Sequence, residues 1–544
     1  MLFITGVYRI KIHVLGYRKN VMKKFAFYLS TFILVWVYCT KFNSVDWDLW
    51  ARLAVGKIFF LSGTVLKHDI FAYTPVKSLW IDHEWGSSVI FYYISHYFGD
   101  AGLMILKVFI SFTILFLINR IVKLQNPRIN AHLNIGFYAI IYLLIFMGIG
   151  STVRCQQFTF LLFTLLIYLL ERIRRGENKL LFIIPPVIML WANLHGGFVS
   201  GLGLLLIYGI GEFLNKKPGK KYFIVLVPSV LVTLINPYGI DYWFYIVHAI
   251  TMKRPSIIEW MPTDLMGPIL NWKGYKIVFL VSVVSIIFTL FKNRPKYREL
   301  DKVKYLVLLS TLYLSLKHIK HQPFFGIAAG CFLYHDFYSM FYALGDYIVA
   351  IFGEAGNKIL KCIAIGKDII LYTFIFIAGG ILIYSNQVKI TVPVNSYPVG
   401  SIEFIRQNNL SGNLATIFHW GSYATWKLYP RCRIALDGRY EEVYPDNTVH
   451  MVSGFIYDYD KDSYNFIKKY HTDILVLDRF NESFVKILKD KNWKLVFEDE
   501  MSGVFVQAKK AKKHYIKPVY TNESIIRDKY KSSININDLR RYLK

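Results

Sequence analysis

The segment NSVDWDLWARLAVGKIFFLSGTVLKHDIFAYTPVKSLWIDHEWGSSVIFYYISHYFG, residues 43–99, is a polar interruption between apolar runs near 25–42 and 101–119. Those runs have bilayer length. Within the segment, Leu49, Leu53, Ile58 and Leu61 form an apolar stripe with Arg52 and Lys57 off it, which predicts a helix over 46–61 lying in the interface plane. Trp47, Trp50, Trp80 and Trp85 suit the headgroup level, where aromatic belts form. A second helix is expected from Ser87 to Phe98. The acidic residues here are Asp46, Asp48, Asp69, Asp82 and Glu84. A carboxylate at a membrane surface has its pKa raised by desolvation or is paired with Arg or Lys, and either state suits proton abstraction from an acceptor hydroxyl or amine. The plain alternative for Asp46 or Asp48 is to cap the helix that follows.

Working outward, apolar runs recur near 132–150, 157–171, 180–195, 197–214, 222–236, 276–291, 303–316, 323–342 and 367–385, about eleven spans in all. The expected fold is a polytopic α-helical membrane protein. Orientation follows Lys and Arg in short loops. With the N-terminus cytoplasmic, the inside segments include YRIKIHVLGYRKNVMKK, ERIRRGENK, NKKPGKK and KNRPKYRELDKVK, each basic. An odd number of spans then puts the chain from Asn386 onward outside the cytoplasm. Residues 1–24 lack a continuous apolar core, so the helix at 25–42 reads as a signal anchor.

The chain has 544 residues, 54% hydrophobic and 18% charged, with 64 Lys+Arg against 36 Asp+Glu and a net charge of +28. Intrinsic disorder is excluded by that apolar content. Five cysteines with no paired spacing exclude a disulfide scaffold. Positive-inside loops facing anionic lipid account for much of the charge, and no nucleic-acid partner is expected. No phosphate-binding glycine loop or zinc-type cluster is present.

Several polar residues gather at the outer face under this topology. They are Arg154 before span four, Asn193 and His195 at the end of span five, Glu259 in the long outer loop, and Lys317, His318, Lys320 and His321 after span nine. Arg154, His195, Lys317 and Lys320 are candidates to hold a phosphate, because a phosphorylated lipid needs cations at this depth and Arg offers bidentate contacts. Snorkelling to headgroups is the alternative for the lysines. No compact ligand set is visible, so no obligatory metal or other cofactor is expected.

From about 386 to 507, short alternating elements replace spans, which predicts a small extracytoplasmic α/β domain. Strands are expected at Leu414–Phe418, Cys432–Leu436, Asp473–Leu477, Lys494–Glu498 and Val504–Gln507. HWGSYATW (419–426) and LDGRYEEVY (436–444) each follow a strand, where sheet folds place ligand-facing loops. The tail, 508–544, is basic.

In order along the chain, D-x-D-L-W, H-D-x-F-x-Y-T, W-x-x-H-E-W, W-A-N-L-H-G-G (191–197), I-N-P-Y-G (235–239), I-E-W (258–260) and L-D-G-R-Y (436–440) resemble a bacterial branch of the C-type (GT-C) glycosyltransferase superclass. This superclass includes protein O-mannosyltransferases, aminoarabinose transferases and oligosaccharyltransferase catalytic subunits. The resemblance implies an inverting membrane glycosyltransferase that takes sugar from a polyprenyl-phosphate donor to an extracytoplasmic glycan, lipid or protein acceptor. A carboxylate of the first loop acts on the acceptor in the superclass. That role carries onto Asp46 or Asp48, with Asp46 favoured as the nearer to span one. The common D-E pair is absent, because Trp47 follows Asp46. W-G-x-Y is loosely similar to the W-W-D-x-G segment that faces acceptor peptide in oligosaccharyltransferases, although the Asp is missing. His83, Glu84, Glu259, Trp420, Tyr423, Asp437 and Arg439 are therefore candidate substrate or acceptor contacts. Two rival readings are a transporter or flippase of a lipid-linked saccharide and a non-catalytic subunit on the same fold.

Overall fold

The computed structural model describes residues 24–125, 152–252, 254, 257–267, 273–293, 299–385, 388–458, 461–518 and 523–524. The span expected at 132–150 and most of the basic N-terminus and tail lie outside the described residues.

Four described helices are long and apolar enough to cross a membrane: Trp85–Gln125, Gln156–Arg174, Gly196–Leu214 and Gly274–Lys292. A shorter apolar helical stretch covers Asn178–Leu194. The helix at Trp85–Gln125 joins the expected second loop helix to the next span. Gly99, at φ 64°, makes the kink between them, a conformation that costs a residue without Cβ little. The run expected at 323–342 is two helices: Gln322–Phe332 ends before Leu333, and Tyr334–Ser385 starts anew and bends at Gly353. Hydropathy is continuous across Leu333, so it could not reveal that break. At the far end of Gln156–Arg174 from Arg154, the Arg174 guanidinium reaches Glu171 at 3.0 Å, Glu212 at 2.8 Å and Asp301 at 2.9 Å, tying three helices together.

Helix Leu49–Ser62 differs from the expected interfacial helix. Leu49–Gly56 and Ile58 are all buried, Arg52 included, and the helix lies between Trp85–Gln125 and the C-terminal helix Phe418–Leu428. The loop tryptophans are packing struts rather than a headgroup belt. Trp50 and Trp80 are fully buried, Trp47 stacks on Tyr397 with ring centroids 4.1 Å apart, and Trp85 Nε1 donates to Asn193 Oδ1 at 3.1 Å.

The C-terminal region is a five-stranded mixed sheet with helices. Its strands are β1 (Gly412–Thr416), β2 (Cys432–Ile434), β3 (Ile474–Asp478), β4 (Trp493–Glu498) and β5 (Ser502–Gln507). The order is β2-β1-β3-β5-β4. β1 runs parallel to β2 and β3, and β5 antiparallel to β3 and β4. All five expected strands are present, shifted by a few residues at their ends. The first loop is stitched to this region by backbone bonds. Ile434 N donates to Phe71 O at 2.8 Å, Tyr73 N to Ile434 O at 3.1 Å, and Val45 N to Thr391 O at 2.9 Å. The loop is thereby held between the helices and the sheet.

Candidate active site

Arg154, just ahead of helix Gln156–Arg174, is the hub of one half of the site. Its Nη2 donates to Asp48 Oδ2 at 2.6 Å, its Nε lies 3.3 Å from Asp46 Oδ1, and its Nη1 donates to Glu259 Oε1. Three carboxyl groups thus share one guanidinium. Asp46 is fully engaged: Oδ1 also accepts from Asp48 N at 3.1 Å, and Oδ2 accepts from Thr152 Oγ1 at 3.1 Å. Burial pushes its pKa up to about 6, with Arg154 pulling against this and Asp48 and Glu259 reinforcing it. Asp48 occupies the N-cap position of Leu49–Ser62 but its side chain makes no capping bond. At 46% exposure it is the more open of the pair, against 12% for Asp46. The capping alternative therefore fails for Asp48.

Glu259 is delivered by the turn Ile258–Trp260. That turn is fixed by His318 Nδ1 on Trp260 O at 2.6 Å and Ile319 N on Met261 O at 3.0 Å. The Trp260 ring carries two cations, with Lys320 Nζ at 3.5 Å and the Arg254 guanidinium carbon at 4.2 Å from its centroid. Burial lowers the Lys320 pKa to about 8, with Glu259 holding it up and Arg254 and Arg154 pressing it further down.

Arg52 is the second hub. It donates to Asp82 and lies 3.5 Å from both Glu84 Oε2 and Glu442 Oε2. Glu442 also accepts from Trp80 Nε1 at 3.1 Å and lies 3.0 Å from His83 Nδ1. Burial works against a charge on His83, but Glu442, then Glu84 and Asp82, hold it protonated up to about 9. Burial would likewise raise Glu442, yet Arg52 and His83 hold it down at about 2. Burial raises Glu84, opposed by Arg52 and His83. The two halves meet at a cavity lined by Asp48, Arg52, Glu84 and Arg154, with Leu49 and Phe91 as apolar wall.

His83, Glu84 and His195 bring ligand atoms within 4.8 Å of one another. But His195 Nδ1 accepts the Gly197 N–H at 2.9 Å, so its proton sits on Nε2, the atom facing Glu84 at 3.3 Å. A nitrogen that carries a proton has no lone pair for a cation. The trio Asp46, Asp48 and Glu259 shares a single guanidinium, that of Arg154, so one cation faces three carboxyl groups.

Of the expected residues, Asp48, Glu84 and Arg154 line this cavity, Asp46 and Glu259 pair with Arg154 behind it, His83 and His195 face Glu84, and Lys320 lies on the Trp260 ring. Lys317 lies apart, exposed, with its Nζ 6.0 Å from the Tyr313 ring centroid. Trp420, Tyr423, Asp437 and Arg439, the candidate acceptor contacts of the C-terminal region, are buried at 2% exposure or less. Arg439 bonds Asp437 and Asp69, and its guanidinium lies 4.8 Å from the Phe71 centroid and 4.9 Å from that of Trp80. The same loop still reaches the site: a Cβ on Gly438 would stand 3.4 Å from Asp48 Oδ1. Sequence reasoning missed Arg52, Arg254, Glu441 and Glu442. Glu441 Oε1 accepts from Arg254 Nε at 3.0 Å. The adjacent acidic pair directly after LDGRY was the available signal.

The fold combines helices long and apolar enough to cross a membrane with a carboxylate-rich cavity. The architecture is similar to that of the Archaeoglobus fulgidus oligosaccharyltransferase AglB in complex with an inhibitory peptide and a dolichol-phosphate. That match has a TM-score of 0.53 at 11% identity and covers 83% of this chain and 69% of that one. It is also similar to ArnT from Cupriavidus metallidurans bound to undecaprenyl phosphate, with a TM-score of 0.51 at 11% identity over 88% of this chain and 97% of the other. No protein-family model matches the sequence, and no curated protein is detectably similar to it.

Proposed function

We propose that the protein is a membrane glycosyltransferase that moves a sugar from a polyprenyl-phosphate donor to an acceptor on the extracytoplasmic side. The observation that carries this reading is the Asp48–Arg154–Glu259 cluster, open to a cavity at the end of helices whose fold is that of two polyprenyl-phosphate-binding enzymes. Asp48 is the base. An acceptor oxygen attacks the anomeric carbon, its proton passes to the Asp48 carboxylate, and the bond from that carbon to the phosphate oxygen breaks. The electron pair leaves on polyprenyl phosphate. The charge of that phosphate is met by Lys320, whose ammonium faces the Trp260 ring at 3.5 Å, and by Arg154 beside it. Asp46 takes no proton in this scheme; it holds Arg154. The acceptor class stays open among glycan, lipid and protein.

The test is release of free polyprenyl phosphate from a small panel of polyprenyl-phosphate sugars by purified protein, wild type against an Asp46→Asn/Asp48→Asn double variant. Release by wild type alone is the expected result. Donor binding without release in either protein would overturn the reading and favour a transporter or a non-catalytic subunit.

A further inference from the structure

The sequence W-A-N-L-H-G-G packs directly beneath W-x-x-H-E-W. Trp85 Nε1 bonds Asn193 Oδ1 at 3.1 Å, and Ser87 Oγ donates to Leu194 O at 2.6 Å. At the centre stands His195, whose hydrogen bonds determine its tautomer. The Gly197 N–H points at Nδ1 from 2.9 Å, and an N–H can only donate. Thr159 Oγ1 accepts the Trp191 Nε1–H at 2.8 Å and lies 2.9 Å from the same Nδ1, leaving the hydroxyl proton for the ring. With two donors aimed at it, Nδ1 carries no proton. The ring is therefore neutral, and its one N–H sits on Nε2, 3.3 Å from Glu84 Oε1. Charging the ring would force a third proton into that space. Gly197 is needed for this arrangement, since a Cβ there would stand 2.4 Å from Thr159 Oγ1 and 2.9 Å from His195 Nδ1.

Glu84 is thus faced by three groups from within the protein: His195 Nε2–H at 3.3 Å and His83 Nε2 at 3.8 Å from Oε1, and Arg52 Nη1 at 3.5 Å from Oε2. All three contacts are long, so its oxygens keep accepting capacity. It faces the cavity shared with Asp48 and Arg154, and at 16% exposure it lies deeper than Asp48 at 46%. Asp48 is therefore the more open wall of that cavity and Glu84 the more enclosed one.

Resting on the transferase reading, we propose that Glu84 contacts the sugar being transferred by accepting its hydroxyl protons, and that neutral His195 is the positioning residue that aims Glu84 into the cavity. The sugar class is then a hydroxyl-bearing one presented on polyprenyl phosphate, and Glu84 is a determinant of which sugar is accepted. Sites built to bond a substrate hydroxyl discriminate strongly against sugars that lack it.

The experiment measures binding and turnover of a panel of polyprenyl-phosphate sugars, with polyprenyl phosphate alone as the sugar-free probe, on wild type, Glu84→Gln, Glu84→Ala, His195→Gln and His195→Ala. Wild type should bind at least one sugar-bearing lipid more tightly than the bare lipid. Glu84→Ala should lose roughly 10- to 100-fold of that preference while binding the bare lipid as before. His195→Gln, which can still donate toward Glu84, should retain most of the preference, and His195→Ala should lose it. A structural role alone would not move the second readout, the histidine nitrogen NMR signals of the full-length protein. The signals absent from His195→Gln should show a bare Nδ1 and a protonated Nε2 that do not titrate near neutral pH. A His195 that charges in its ordinary range, or Glu84→Ala with unchanged sugar preference and turnover, overturns the proposal. Binding that depends on Glu84 without any release would overturn the transferase reading alone. Wild type that binds no sugar-bearing lipid better than bare lipid overturns this proposal.

Discussion

Glu442 Oε2 lies 3.5 Å from Arg52 Nη2, although 390 residues separate the two in the chain. The same guanidinium serves Asp82 and Glu84 from the first loop, so a residue of the C-terminal region completes a charge set laid out near the N-terminus. Removing Arg52 would leave three carboxyl groups gathered without their cation. Breaking a buried ion pair by deleting one partner costs about 3–5 kcal/mol. Arg52→Ala should therefore lower the thermal midpoint of the purified protein and open the Tyr440–Val443 turn to protease. Arg52→Lys should recover only part, since an ammonium lacks the planar fork. An Arg52→Ala protein as heat-stable as wild type would refute the hub.

The His83–Glu442 pair predicts a stability plateau in pH. His83 is held above its ordinary 6.5, at about 9, so its contribution is complete below pH 6.5 and is lost as pH rises through 9. Glu442 is held below its ordinary 4.5, at about 2, so its contribution is complete above pH 4.5 and is lost as pH falls through 2. Both are intact between those ordinary values. The difference in thermal midpoint between wild type and His83→Gln isolates this pair, and it should be flat there and shrink on either side. His83→Gln should remove the alkaline fall attributable to this pair; if that fall is unchanged, another group causes it.

The two first-loop aspartates should separate kinetically. Asp48→Asn removes the base and should cut kcat by roughly 10²- to 10⁴-fold with little change in donor binding. Asp46→Asn keeps the base but loosens Arg154, and should act mainly on KM for the donor, by about tenfold. Equal losses in kcat for the two variants would mean that they act as a unit and that the assignment of one base is wrong.

Arg154 already supplies positive charge to Asp46, Asp48 and Glu259. Prolonged dialysis against a chelator should leave polyprenyl phosphate release unchanged, and added magnesium or manganese should not raise it. Loss of release on chelation, restored by a divalent cation, would show that a metal displaces the guanidinium during turnover.

Much of the architecture was legible in the sequence. Runs of bilayer length and the five C-terminal strands follow from periodicity and length, which are local properties. Asp48, Arg154 and Glu259 were also singled out separately in the sequence. What binds them together was not, because pairing across about a hundred residues or more leaves no mark in spacing. Arg52 shows the same limit. Its place off an apolar stripe pointed to the polar side of an interfacial helix, yet the far side of that helix is covered by Phe418–Leu428, which hydropathy of the helix alone cannot report. The buried tryptophans were misread for the same reason: a ring packed on protein and a ring in headgroups have the same sequence signature.

Lys320 offers the sharpest test of how the donor is held. Its ammonium rests on Trp260 and titrates at about 8, so it is charged below that pH and neutral above it. If it meets the donor phosphate, KM for the donor should rise as pH rises through 8 while kcat at saturation changes little. Lys320→Gln should raise KM at neutral pH by about tenfold and flatten that alkaline limb, because the titrating charge is gone. Lys320→Arg keeps a charge throughout and should move the limb to higher pH. Lys317→Gln, exposed beside Tyr313, should behave as wild type. A limb that persists unchanged in Lys320→Gln would mean that the titrating group is elsewhere and that the phosphate is held without this lysine.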